Sequence, residues 1–135
     1  MSDNVYLGNP NLKKANTQIQ FSQENILEFV KCKEDPVYFA RKYIQIVSLD
    51  KGLVPFRLYD FQEKLVRNFH ESRFNICKMP RQTGKSTTVV SYLLHYAVFN
   101  DNVNIAILAN KASTARDLLG RLQLACENLP KWMQQ

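Results

Sequence analysis

Glycine is scarce in this chain, with four in 135 residues, and cysteine scarcer still, with three. So little glycine excludes a flexible low-complexity linker or a repetitive fibrous architecture. Cys32, Cys77 and Cys126 are odd in number, widely separated and never in a Cys-x-x-Cys pair, which argues against a disulfide framework and a zinc site. All three are expected to be small buried apolar residues. Long hydrophobic runs are also missing: the least polar stretch, residues 89–99, is interrupted by Ser91 and His95. No membrane association is expected. No basic-then-apolar leader opens the chain, so a cytoplasmic protein is the expectation. The two histidines, His70 and His95, stand apart and read as packing or surface residues, not metal ligands. Acidic residues number 12 against 18 Lys and Arg, a net charge of +6. The basic residues are scattered, Lys13-Lys14 being the densest group, so the excess fits a polyanion partner or a merely solvated basic surface.

What remains is a composition, 45% hydrophobic and 22% charged, suited to one globular domain. Residues 1–20 are polar, contain Gly8 and Pro10 and show no period, so a flexible arm is expected there. Ser22 can cap a helix with an apolar stripe of Ile26, Leu27 and Val30, and Asp35-Pro36 restarts a second one. The stretch VSLDKGLVPFRLYD reads as a loop. Asp60 and Glu63 have the spacing of a capping box for a third helix whose apolar face is Phe61, Leu65, Val66 and Phe69. Residues 21–72 thus form a helical preface. Residues 73–135 then read as strand, loop, helix, strand, helix: the apolar runs at 74–79 and 103–109 are strand candidates, and helical spacing follows each. Such a βαβα unit predicts an α/β fold with a parallel sheet, whose ligands bind beyond the carboxyl ends of the strands.

One such end carries KMPRQTGKSTT, residues 78–88. Gly84-Lys85-Ser86 closes a phosphate-binding loop of the Walker A type, but Met79 stands where the general template has its first glycine. A Gly-Lys-Ser/Thr triplet is expected by accident only about 0.03 times in a chain of this composition. The chemistry also suits the position, because a strand-to-helix turn hands free backbone N–H groups and a helix N-terminus to an anion. Gly84 permits close backbone approach, Lys85 would reach the β and γ phosphates, and the Ser86 hydroxyl would coordinate Mg²⁺. Gln82, Thr83 and Thr87 complete the loop and the helix start. Arg81 admits two roles: neutralising charge on a transferring phosphoryl group, or a salt bridge to a neighbouring carboxylate. Phe61 and Gln62, one helix earlier, are either core and surface residues or an adenine site, the ring stacking on the base and the carboxamide matching its donor and acceptor edge.

The segment LYDFQEKLVRNFHESRFNICKMPRQTGKSTTVVSYLLHYAVFN resembles the start of the ATPase domain of large terminase subunits of tailed phages, above all the T4-like contractile-tailed group. The likeness extends from about Asn9 to the C-terminal ENLPKWMQQ, and RQTGKS and YDFQ are its specific parts. In that family the phosphate loop lacks its first glycine and carries Arg-Gln before x-Gly-Lys, which accounts for Met79. The resemblance implies a partial P-loop NTPase domain of the RecA-like ASCE type, using ATP and Mg²⁺ to drive double-stranded DNA through a portal into a capsid. It further implies a portal protein and a small terminase subunit as partners, a homo-oligomeric ring, the host bacterial cytoplasm as location, and a nuclease domain downstream. Carried onto this chain, Phe61 and Gln62 would recognise adenine, Arg81 would be a finger acting in cis, Lys85 and Ser86 would hold phosphate and magnesium, and Thr87 would assist. A helicase-like P-loop ATPase, which also places an aromatic and Gln ahead of its loop, is the alternative.

One feature departs from the family. Such an ATPase needs a further apolar strand ending in Asp-Glu, and the only acids after the loop are Asp101, Asp117 and Glu127. The chain therefore reads as an N-terminal fragment, truncated before the Asp-Glu strand, that binds nucleotide without turning it over or is inert, and is prone to self-associate. Trp132 beside Met133 reads as an anchor for a further part of the protein.

Overall fold

The computed structural model describes residues 5–48 and 50–134. In order they form β1 (Val5–Tyr6), β2 (Asn9–Lys13), α1 (Gln23–Glu34), α2 (Pro36–Tyr43), β3 (Gln45–Ser48), β4 (Gly52–Pro55), α3 (Asp60–Glu71), α4 (Lys85–Phe99) and α5 (Ala112–Glu127). The result is a small α/β protein. Its strands make two separate antiparallel hairpins, β1–β2 and β3–β4. Among the described residues no helix is long and apolar enough to cross a membrane.

Local chemistry explains most of the helix boundaries. Ser22 Oγ accepts from Asn25 N at 3.1 Å and starts α1. Asp35 Oδ1 accepts from Val37 N and Tyr38 N at 2.9 and 3.1 Å, and Pro36 follows it at the first helical position, where a missing N–H costs nothing. At α3 the reciprocal pair lies one residue earlier than Asp60 and Glu63: Tyr59 is the cap, and Gln62 Oε1 accepts from Tyr59 N at 3.0 Å. Glu63 turns instead to Arg41 on α2 in an ion pair.

The centre of the molecule is α4, which α2, α3 and α5 contact from different sides. Helix α4 buries Val90, Leu94, Val98 and Phe99, and Phe39 of α2 meets it edge-on, 5.4 Å from the His95 ring and 5.5 Å from that of Phe99. The core continues through Cys32, Ile44 and Phe56 to Leu129 and Met133 beyond α5. Phe56 N donates to Ile44 O at 2.9 Å, extending the β3–β4 hairpin into this core. On the opposite side of α2, Glu28 of α1 accepts from the hydroxyls of Tyr38 and Tyr43, each at 3.0 Å, and pairs with Lys42 at 2.7 Å. Burial opposes the charge of Glu28, but these three donors together hold its carboxyl below the usual value.

Several expectations are corrected. The segments 74–79 and 103–109 carry no regular secondary structure and pair with no strand, so no parallel sheet forms among the described residues. A strand exists only through a neighbour that takes its N–H and C=O groups, and the two runs lack one. Phe74, Ile76 and Leu108 are consequently exposed at 82%, 101% and 88%. Cys77 lies on the same run and is exposed, whereas Cys32 is buried and Cys126 partly so. The stripe Ile26, Leu27 and Val30 faces outward, while Phe29 and Cys32 of α1 turn to the core. The stretch expected to be a loop after α2 contains the β3–β4 hairpin. Residues 1–4 of the expected arm lie outside the described residues. Beyond them, Leu7 and Gly8, both at positive φ, turn β1 into β2, and Gln134 ties β2 down by accepting from Lys13 N at 2.9 Å and donating to Asn11 O at 2.9 Å. Met133 is fully buried and Trp132 meets Tyr43 edge-on at 6.2 Å, so this pair anchors the chain to its own core.

His95 carries a pH dependence. It is 2% exposed, its Nε2 lies 2.9 Å from Cys32 O, and Nδ1 has no partner among the described residues. Burial pushes its pKa down from 6.5 to about 4. The unfolded chain binds this proton more readily, so the stability held above pH 6.5 is lost as pH falls from 6.5 towards 4, by roughly 3 kcal/mol in all. Urea unfolding between pH 7.5 and 4.5 should show that slope, and His95→Leu should flatten it; an unchanged slope in the variant would assign the dependence to other groups.

Candidate phosphate-binding site

The site lies at the N-terminal end of α4, away from the aromatic core. Gly84 caps the helix in the left-handed region at φ 71, and Gln82 adopts φ 62 two residues earlier. A non-glycine residue there is uncommon, and two such turns within three residues curl residues 80–84 into a tight loop. Thr83 Oγ1 donates to Pro80 O at 3.1 Å and closes that curl. The first main-chain bond of the helix runs from Thr88 N to Gly84 O at 3.0 Å, so the N–H groups of Lys85, Ser86 and Thr87 precede the intrahelical ladder. Those groups, with the positive end of the helix dipole, favour an anion.

Lys85 reaches back over the loop and donates to Met79 O at 3.3 Å and Pro80 O at 3.0 Å. An ammonium has three N–H donors, so one remains for a ligand while two hold the side chain in place. Residues 81–87 line a cavity of about 320 Å³ together with Arg121 of α5. Its charged lining residues are Arg81, Lys85 and Arg121, with no carboxylate among them. The two ion pairs among the described residues join Arg41 to Glu63 and Lys42 to Glu28, so Arg81 takes part in neither.

A second, larger cavity of about 790 Å³ adjoins the first and shares Gln82, Thr83, Gly84 and Thr87 with it. The hairpin β3–β4 forms its far wall through Ile46 and Val54, and Tyr59, Phe61 and Gln62 line the near side. The rings of Tyr59 and Phe61 lie nearly parallel and offset, with centroids 5.8 Å apart and planes 8° from parallel. Both rings are solvent-exposed, at 70% and 43%, so an apolar platform stands at the edge of the cleft.

Gln62 has a different setting. It is 2% exposed, its oxygen accepts from Tyr59 N, and Nε2 donates to Thr83 O at 3.2 Å. One carboxamide therefore joins the start of α3 to the phosphate loop. Gln62 borders the cleft but presents almost none of this carboxamide to it. The structure thus gathers Phe61, Gln62, Arg81, Gln82, Thr83, Gly84, Lys85, Ser86 and Thr87 around two adjoining cavities. Asp101, Asp117 and Glu127 line neither. Sequence reasoning missed Tyr59, which the alternation of aromatics at 59 and 61 signals, and Arg121, which no local pattern reveals.

Donor chemistry is compatible with Mg²⁺ in only one way. Ser86 Oγ is the motif hydroxyl at the helix start, and among the described residues there is no group of three or more His, Cys, Asp or Glu side chains that could hold a metal. Mg²⁺ tolerates such a site because it keeps several waters and takes its remaining ligands from phosphate. No protein-family model matches the chain.

Gly84 and Gln62 are coupled by space. A Cβ on Gly84 would lie 2.6 Å from Gln62 Nε2, and φ +71 strains any other L residue. Gly84→Ala should therefore cost about 1–3 kcal/mol in urea unfolding. Adding Gln62→Ala should remove the clash but not the backbone strain, so the two costs should combine to less than their sum. Strict additivity would show that the carboxamide yields freely.

Proposed function

We propose that the paired cavities bind ATP, with the base against the Tyr59–Phe61 platform and the phosphates in the loop at the start of α4. The observation that carries this reading is the adjacency itself: a cleft with an aromatic wall opens into a cationic phosphate-sized cavity across the shared residues Gln82, Thr83, Gly84 and Thr87. In this reading Gln62 holds the loop beside the base, its carboxamide engaged by Tyr59 N and Thr83 O. Lys85 spans the β and γ phosphates, and Ser86 holds Mg²⁺, which would neutralise phosphate charge.

The protein is proposed as the nucleotide-binding part of a P-loop motor ATPase, of the kind found in large terminase subunits of T4-like phages. The RQTGKS and YDFQ elements at their mutual spacing support that assignment. It brings with it double-stranded DNA as the translocated substrate, a portal protein and a small terminase subunit as partners, and assembly as a ring in the host bacterial cytoplasm. Arg81 would then act in cis on the γ-phosphoryl group, where such a guanidinium is worth about 10³–10⁵ in turnover.

Hydrolysis also needs a group to orient water, and no carboxylate lines the phosphate cavity among the described residues. The 135-residue chain should therefore bind MgATP without turning it over. Titration with a fluorescent ATP analogue should show saturable binding that unlabelled ATP competes away and that Lys85→Ala weakens by at least about tenfold, the value of one charge-assisted contact. Absence of saturable binding would overturn the nucleotide reading. Phosphate release above background that disappears in Lys85→Ala would instead show that the chain orients water by itself.

A further inference from the structure

Arg121 stands outside every motif, yet it is the one residue not contributed by the loop or the start of α4 that lines the phosphate cavity. It projects from α5, a helix packed along α4, so its position is set by the tertiary contact between those helices. It is exposed and takes part in neither of the two ion pairs among the described residues. On its other side it borders a separate cavity of about 340 Å³ with apolar walls that include Ile46, Val90 and Leu124. The aliphatic stem can lie on that wall while the guanidinium faces the anion cavity.

The overlap of the two nucleotide-sized cavities gives direction to the site. Gln82, Thr83, Gly84 and Thr87 belong to both, whereas Arg81, Lys85, Ser86 and Arg121 line the phosphate cavity and not the aromatic-walled cleft. These last four therefore mark the end remote from the aromatic platform. A nucleotide with its base beside Tyr59 and Phe61 would extend its phosphates towards that end, with its terminal group foremost.

We propose that Arg121 contacts the terminal phosphate of a bound nucleoside triphosphate and makes the site prefer a triphosphate over a diphosphate. This rests on the nucleotide-binding reading above. A guanidinium is suited to the task, since its fixed fork of N–H donors can engage two oxygens of one phosphate. Arg121 thereby sets specificity from α5, while Lys85 and the backbone bind what both nucleotides share.

The test is competition of MgATP and MgADP against a fluorescent ATP analogue on the full 135-residue chain and on Arg121→Ala, Arg121→Lys, Lys85→Ala and Arg116→Ala, with circular dichroism to confirm folding. Arg116 is exposed on the same helix and lines neither cavity, so it controls for net charge. Arg121→Ala should weaken ATP by at least about tenfold and ADP by less than about threefold, Arg121→Lys should recover part of the loss, and Arg116→Ala should change neither. If the wild type binds and Lys85→Ala abolishes binding but Arg121→Ala binds ATP normally, the Arg121 proposal fails and the nucleotide reading stands. Equal losses for ATP and ADP would overturn the terminal-phosphate assignment. No binding by the wild-type chain would overturn both.

Discussion

Phe39 packed edge-on against His95 and Phe99 of α4 is the contact around which the molecule is organised. Phe29 of α1 reaches the same place, its ring 4.8 Å from that of Phe99. Among the described residues no hydrogen-bonded ladder spans the protein, and burial of α4 supplies the order that a continuous sheet would otherwise impose. Fully burying a large apolar side chain is worth about 1.5–3 kcal/mol, so a few such residues on one helix make a substantial part of the stability of a small domain. Once the C-terminal half of α4 is held this way, its N-terminal end has a defined position. The phosphate loop inherits that position.

The loop is also held from its other side. Gln62 is nearly inaccessible, and its two hydrogen bonds connect Tyr59 N with Thr83 O across the junction of the two cavities. Gly84 is required there twice over, by its left-handed backbone and by the closeness of the carboxamide. The cationic residues are treated differently from the loop backbone: Arg81 and Arg121 stay exposed, and Lys85 rests on two carbonyls. A hydrogen-bonded loop flanked by exposed guanidinium groups suits capture of an anion, because the loop has little freedom left to lose on binding.

The grouping of the candidate site residues was partly legible before the fold was known. Residues 81–87 form a contiguous motif whose local chemistry, a left-handed glycine before a helix start, depends little on distant parts of the chain. The caps Ser22 and Asp35 were legible for the same reason. Burial was less so. Ile26, Leu27 and Val30 keep helical spacing and still face outward, because the stripe that becomes core is chosen by the neighbours and not by the helix itself. The apolar runs 74–79 and 103–109 have strand composition, yet strand formation is a property of a pair, and neither run meets a partner among the described residues. The β3–β4 hairpin went unread because its strands are only four residues each, and the bond from Phe56 N to Ile44 O, across its base, joins residues twelve apart.

By itself, then, the amino-acid sequence determined where α1 and α2 begin and that a loop at 80–84 runs into α4, since each depends on residues within a few positions of one another. Tertiary structure alone decided that Gln62 lies under Gly84, that Tyr59 joins Phe61 beside the loop, that Trp132 and Met133 close onto the chain's own core, and that Arg121 faces the phosphate cavity. These relations join residues far apart in the chain. They arise only when packing on α4 brings α2, α3 and α5 to their places, and no local periodicity encodes which side chains will meet there.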